Sequence, residues 1–330
     1  MKKIMNDPNQ VVQDMLKGFV AAFPNDVKQL PNTTVIARKN APVSNKVGLV
    51  SGGGSGHEPA HAGYVGKGML DAAVAGEVFT SPTPDQVYEA IKAVDGGAGV
   101  FLVIKNYTGD VMNFEMAAEL AAAEGIDVEQ VIVNDDVAVE DSSFTTGRRG
   151  IAGTVFVHKI AGAKAEQGGS LQDVKAVAEK VVANVRSMGM ALTPCTVPAA
   201  GKPSFEIDDN EMEIGMGIHG EPGIERKEIA SANEIAEELT QKVLEDIDYS
   251  GSEVAVMVNG LGSTPEMELF IVNARVHEIL AEKGIKVYKT FVGEYMTSLE
   301  MAGCSVTLLK LDDELKELLE AEAVTPAFSS

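Results

Sequence analysis

The sequence is short of cysteine, short of positive charge and free of long apolar runs, and each shortage argues against a class of protein. Only Cys195 and Cys304 occur in 330 residues, far apart and outside any CxxC pair. That argues against a disulfide framework and against a thiolate metal cluster. Lys plus Arg number 27 against 49 Asp plus Glu, a formal net charge of −22. Such an excess opposes binding to nucleic acid or to an anionic membrane, although a local cationic pocket is still allowed. No apolar stretch approaches the ~20 residues that a membrane helix requires. Lys2 and Lys3 open the chain, but no apolar segment of a signal peptide follows them. The cytoplasm is the expected location. No internal repeat and no low-complexity segment is present.

What the chain does have is a hydrophobic fraction of 45% and enough length for two domains. Val12, Met15, Leu16, Phe19 and Phe23 recur at helical spacing until Pro24 stops the pattern. Short β-branched runs at 47–50, 71–75, 99–104 and 131–133 then read as buried strands, with helices at 84–94 and 111–124 between them. This rhythm predicts an α/β first domain, a mostly parallel sheet flanked by helices. A helix is expected from Leu171 to about Met188, capped by Ser170 with Asp173 in its first turn. The stretch 193–203 carries Pro194, Pro198 and Pro203 and cannot be helical. The domain boundary is therefore placed near 190, giving domains 1–190 and 191–330. In the second, smaller α/β domain Met212, Ile214, Met216 and Ile218 alternate as in a strand. Helices are expected around 232–244 and 266–282, and strands at 253–258 and 286–291. Whether the tail from about Glu314 returns to the first domain is left open.

Three segments carry chemistry. Gly52-Gly53-Gly54-Ser55-Gly56-His57-Glu58-Pro59 follows the first strand, and glycines there let backbone N–H groups approach a ligand. The segment lacks the Gly-Lys-Ser/Thr ending of a phosphate loop and the third glycine of a dinucleotide fingerprint. His57-Glu58-Pro59-Ala60-His61 matches the zinc-protease signature H-E-x-x-H, but Pro59 interrupts the helix that this chemistry needs. No metal is therefore assigned. Lys105-Asn106-Tyr107-Thr108-Gly109-Asp110 leaves the 99–104 strand for a helix. There Asp110 is either a helix cap or a functional carboxylate. Parallel strands would open this loop on the same edge as His57, so that a His, a Lys and an Asp converge. Gly215-Met216-Gly217-Ile218-His219-Gly220-Glu221-Pro222-Gly223 places His219 at the end of the alternating strand. It reads either as a turn histidine or as a site histidine with room around it. His158 and His277 fall in helical patterns and read as structural. Asn259-Gly260-Leu261-Gly262-Ser263-Thr264-Pro265 reads as a helix start, with Ser263 or Thr264 as cap.

Taken together, the motifs at 52–59, 105–110, 217–223 and 259–262 resemble, in order and spacing, the substrate-binding subunit of the bacterial dihydroxyacetone kinases. The resemblance runs from the first helix to the C-terminus. It implies a two-domain α/β homodimer that holds dihydroxyacetone as a covalent hemiaminal on His219. His57 and Asp110 would contact the substrate and act on its protons, with the choice of base between them left open. Gly54, Ser55, Gly56 and Lys105 would complete the substrate contacts. No cofactor is expected on this chain. ADP and Mg²⁺ would belong to a separate kinase subunit, recharged by a phosphotransferase-system protein from phosphoenolpyruvate. The same resemblance admits a second role, that of a dihydroxyacetone-binding co-activator of transcription without turnover.

Overall fold

The computed structural model of the chain describes residues 1–140 and 145–330. After α1 (Val11–Ala22) come β1 (Val27–Gln29), β2 (Val35–Arg38), β3 (Gly48–Ser55), β4 (Ala72–Val78), α2 (Pro84–Val94), β5 (Val100–Lys105), α3 (Thr108–Ala123) and β6 (Val128–Val133). These strands form one sheet in the order β1-β2-β4-β3-β5-β6. The four strands β4, β3, β5 and β6 run parallel, β2 pairs antiparallel to β4, and the edge strand β1 pairs antiparallel to β2. All six residues of β5 are buried, as expected for a central parallel strand covered on both faces.

Two helices, α4 (Thr154–Glu166) and α5 (Leu171–Asn184), lead out of this sheet. The second sheet comprises β7 (Val185–Ala191), β8 (Glu211–Ile214), β9 (Glu225–Glu228), β10 (Glu253–Gly260), β11 (Lys286–Gly293) and β12 (Gly303–Leu311). Its helices are α6 (Ala232–Asp246) and α7 (Glu266–Glu282), and α8 (Asp313–Glu320) follows. The strand order is β11-β10-β12-β7-β8-β9, with one parallel pair, β10 and β11. β7 pairs with β12, so residues from Val185 onward already belong to the second sheet.

Several differences from the sequence reading have local causes. The helix expected to reach Met188 ends at Asn184, because Val185–Ala191 is β-branched at its start and is taken up by β12. Its start is as expected: Ser170 Oγ accepts from Asp173 N, and Ser170 N donates to Asp173 Oδ2. The strand expected to continue to Ile218 stops at Ile214, where Gly215 turns the backbone to φ +77°. Ser263 and Thr264 do not cap α7. Their hydroxyls donate to the carbonyls of Glu300 and Gly303, and Pro265 stands at the N-cap. His158 does lie in a helix, α4, whose bounds carried no amphipathic signal because 11 of its 13 residues are buried, leaving no polar face.

A large core cluster runs through both halves. It joins Leu16, Leu49 and Phe101 to Phe156, Met257, Leu309 and Phe328. The end of the chain is part of it. Helix α8 packs on α4, the Lys159 ammonium donates to Leu318 O at 2.7 Å, and the amides of Val324 and Ala327 donate to Lys67 and Gly63. Within α4, a Cβ on Gly162 would lie 2.5 Å from Met69 Cα, which is backbone and cannot step aside. Gly162→Ala is expected to lower stability by about 1–3 kcal/mol through overpacking. Urea denaturation of the two proteins would show it as a lower midpoint with an unchanged slope.

Candidate active site

The glycines expected to form a loop are instead the end of a strand. β3 continues through Gly52, Gly53 and Gly54 to Ser55, paired with β4. Neighbours explain the composition. A Cβ on Gly52 would strike the Val74 carbonyl, and one on Gly53 would lie 2.5 Å from Lys105 Nζ. Gly53 also has φ +149°, a conformation that side chains disfavour. Lys105 ends β5 and lies wholly buried beneath this strand. Asp110 sits in the first turn of α3 and makes no N-cap bond, Tyr107 being the cap residue. Its Oδ2 is 3.8 Å from Lys105 Nζ, an ion pair longer than a hydrogen bond.

His57 and His219 meet between the two sheets. Their Nε2 atoms are 3.0 Å apart. His57 Nδ1 lies 2.8 Å from the carbonyl of Thr297, on the loop between β11 and β12. His219 Nδ1 lies 2.9 Å from Glu221 Oε1, and its backbone N donates to Glu221 Oε2. Rings close the histidine in. Tyr107 stands edge-on to His219 at 4.5 Å, Phe79 does so at 5.2 Å, and Phe79 also stacks on His57.

The partners assign the tautomers. A carbonyl only accepts, so His57 Nδ1 carries hydrogen. Burial raises the Glu221 pKa, but the His219 charge and hydrogen bond, with help from Arg149, outweigh it and hold the group at about 2. Glu221 is therefore an anion and His219 Nδ1 also carries hydrogen. Both Nε2 atoms then present lone pairs, which cannot face each other at 3.0 Å without one proton between them. Burial, reinforced by the charges of His219 and Lys105, drives the His57 pKa well below the ordinary histidine range, while the Thr297 carbonyl pulls the other way.

His219, Asp110, Tyr107, Phe79 and Gly54 line one cavity of about 470 Å³. A larger open groove of about 750 Å³ adjoins it at Thr80 and Ser81 and offers one titratable side chain, Glu77, so volume does not locate the chemistry. Of the residues singled out in the sequence, His57, Asp110, His219 and Gly54 come together, with Lys105 behind them. Two others are committed to the protein: Ser55 Oγ donates to Gly76 O at 2.7 Å, and Gly56 N donates to the Glu58 carboxylate. His57 and His61 do not share a metal-binding face. His61 turns to Lys105 and His158. Among the described residues no group of three or more His, Cys, Asp or Glu side chains is placed to hold a metal ion. The sequence reading missed Glu221, Phe79 and Thr297. Glu221 had a signal, being two residues from His219, but its turn context hid it. Phe79 and Thr297 had none.

The family model described as the Dak1 domain matches residues 17–327. The chain belongs to the Dak1 family. One Dak1 relative is the dihydroxyacetone-binding subunit DhaK of PTS-dependent dihydroxyacetone kinase 1 from Listeria innocua. It is 60% identical, over 95% of each chain. The solved structure of a dihydroxyacetone kinase operon co-activator, Dha-DhaQ, superposes with a TM-score of 0.90 at 38% identity, covering 95% of this chain and 97% of that one. The dihydroxyacetone kinase of C. freundii gives a TM-score of 0.92 at 36% identity, covering all of this chain and 60% of that longer one. The Dak1 match takes in every residue of the site described above. No helix among the described residues is long and apolar enough to cross a membrane.

Proposed function

We propose that this chain captures dihydroxyacetone covalently on His219 and presents its terminal hydroxyl for phosphorylation by a separate ADP-carrying subunit. The observation that carries the reading is the facing pair of Nε2 atoms, each ring fixed by an acceptor on its far side. His219 Nε2 adds to the ketone carbon. The carbonyl π pair moves to oxygen, and the proton held between the rings goes to that oxygen through His57. The new C–N bond leaves His219 cationic, and Glu221 pairs with its Nδ1–H. Glycerol has no carbonyl and is refused by the reaction itself rather than by shape. Asp110, on the cavity wall, then takes the proton of the attacking hydroxyl as phosphoryl transfer proceeds. The donor's ADP and Mg²⁺, recharged by a phosphotransferase-system protein from phosphoenolpyruvate, are assigned to the partner. The reading describes a cytoplasmic homodimer.

Turnover tests it. This protein is mixed with its organism's ADP-carrying subunit and a phosphoenolpyruvate-charged donor, and dihydroxyacetone phosphate is followed. Product is expected. The likeness to the operon co-activator favours one other reading, a ligand sensor without turnover. No product from a donor subunit shown to work with another kinase partner, together with a ligand-dependent complex with a transcription regulator, would replace the kinase reading with that one.

Glu221→Gln is expected to slow adduct formation on the order of 10²-fold, since the developing imidazolium loses its counter-charge. It should also change acid stability. The Glu221 pKa is lower in the folded state than in the unfolded one, so its contribution is present above the ordinary glutamate value and lost as pH falls toward about 2. Acid titration followed by circular dichroism should show a shallower loss of stability over that interval in the variant.

A further inference from the structure

Three buried groups behind the site take no part in the chemistry above. His61 Nε2 lies 3.1 Å from Lys105 Nζ, and His61 Nδ1 lies 2.9 Å from His158 Nε2. The two rings meet edge to face at 5.2 Å, and His158 is fully buried in α4. The direction of this chain is fixed. An ammonium only donates, so His61 Nε2 accepts, His61 Nδ1–H donates to His158 Nε2, and His158 keeps its hydrogen on Nδ1. That last atom is buried without a hydrogen-bond partner among the described residues. Burial leads in keeping both rings neutral, with the Lys105 charge adding to it. The arrangement therefore leaves a buried polar group unsatisfied, which costs stability. An apolar pair would have avoided that cost.

The Lys105 ammonium has three donors and three acceptors around it: His61 Nε2 at 3.1 Å, Gly52 O at 3.5 Å and Asp110 Oδ2 at 3.8 Å. A neutral ring nitrogen holds the shortest of these contacts and the carboxylate the longest. Lys105 is wholly buried, and there a lysine free to move would close on the carboxylate. We propose that His61, steadied by His158, is a positioning residue that holds the Lys105 ammonium off Asp110, so that the carboxylate stays open to the substrate hydroxyl. This inference rests on the reading of Asp110 as the proton acceptor in transfer. Asp110 is faced by Lys105 from β5 and shares its cavity with His219 and Tyr107, and His57 adds its ring behind His219. His61 reaches it only through Lys105.

The test compares wild type, His61→Leu and His61→Gln, the last restoring an acceptor near the Nε2 position. In His61→Leu kcat should fall ten- to a hundredfold, with KM for dihydroxyacetone and adduct formation unchanged. The acid limb of its kcat–pH profile should move to lower pH, because Asp110 paired closely with Lys105 is a weaker base. His61→Gln should recover most of both. Crystal structures should show Lys105 Nζ drawn to hydrogen-bond distance of Asp110 in the leucine variant only. The ¹⁵N ring spectrum of wild type should report hydrogen on Nδ1 of His61. An unmoved acid limb, no recovery by glutamine, an unchanged Lys105–Asp110 distance, or hydrogen on Nε2 of His61 would each overturn the inference. Should the leucine variant not fold, the wild-type spectrum and the glutamine variant's profile decide it. Wild type without turnover would instead sink the kinase reading, leaving the distances and the spectrum to judge the role of His61.

Discussion

His219→Ala is expected to abolish covalent capture and to reduce phosphorylation by about 10³-fold or more. Without the C–N bond the small ketone must be held by contacts alone, and the orientation gained from tethering is lost. The fold should survive. The His219 side chain is 15% exposed at the cavity, so removing it leaves no closed void in a core. Mass spectrometry of the intact protein with dihydroxyacetone should show one added substrate molecule in wild type and none in the variant. Discrimination supplies a second readout. Any residual activity of the variant should no longer favour dihydroxyacetone over glycerol, since refusal of glycerol depends on the carbonyl chemistry. An alanine variant that still carries the adduct would move the nucleophile elsewhere, with His57 the first place to look.

Asp110→Asn is expected to separate the two steps. The side chain keeps its shape but cannot take a proton, so transfer should slow by about 10²–10⁴-fold. Adduct formation should stay within a few-fold of wild type, because His57 and the shared proton carry that step. Lys105 loses its counter-charge in the variant, so some stability should go as well. Single-turnover measurement against the phosphorylated partner subunit isolates the transfer rate, and intact-mass analysis gives the adduct. Normal transfer in the asparagine variant would hand the role of base to His57.

How much of this was legible follows from where each residue's information lies. His57 and His219 stand in glycine-rich segments, Lys105 ends a strand and Asp110 opens the helix after it, and local pattern marks such positions. The parallel arrangement of β3 and β5 was readable from buried β-branched runs separated by helices, and it brings 52–57 and 105–110 to one edge. The glycine run was misjudged as a loop because the reason for its glycines is not local. Gly52 answers to the Val74 carbonyl and Gly53 to Lys105, contacts that exist only after folding. The same holds for Thr297, which orients His57 from 240 positions away. The pattern around His158 read as helical, but the bounds of α4 could not be drawn for a related reason: burial on all sides removes the periodicity that reveals a surface helix. His158 could be read as structural, but not that it would stand behind His61 and Lys105.

The return of the chain's end to its beginning bears on how the protein is made. Met69 and Ile160 belong to a core that also contains Leu318 and Phe328. On a ribosome the first sheet, complete by Val133, emerges well before α8 exists. Until α8 arrives, the surface of α4 that it covers is apolar and open, and Lys159 has no Leu318 carbonyl to meet. Contacts of such long sequence separation form late and slowly. The nascent first half is therefore the species most exposed to self-association, although residues far downstream complete its packing.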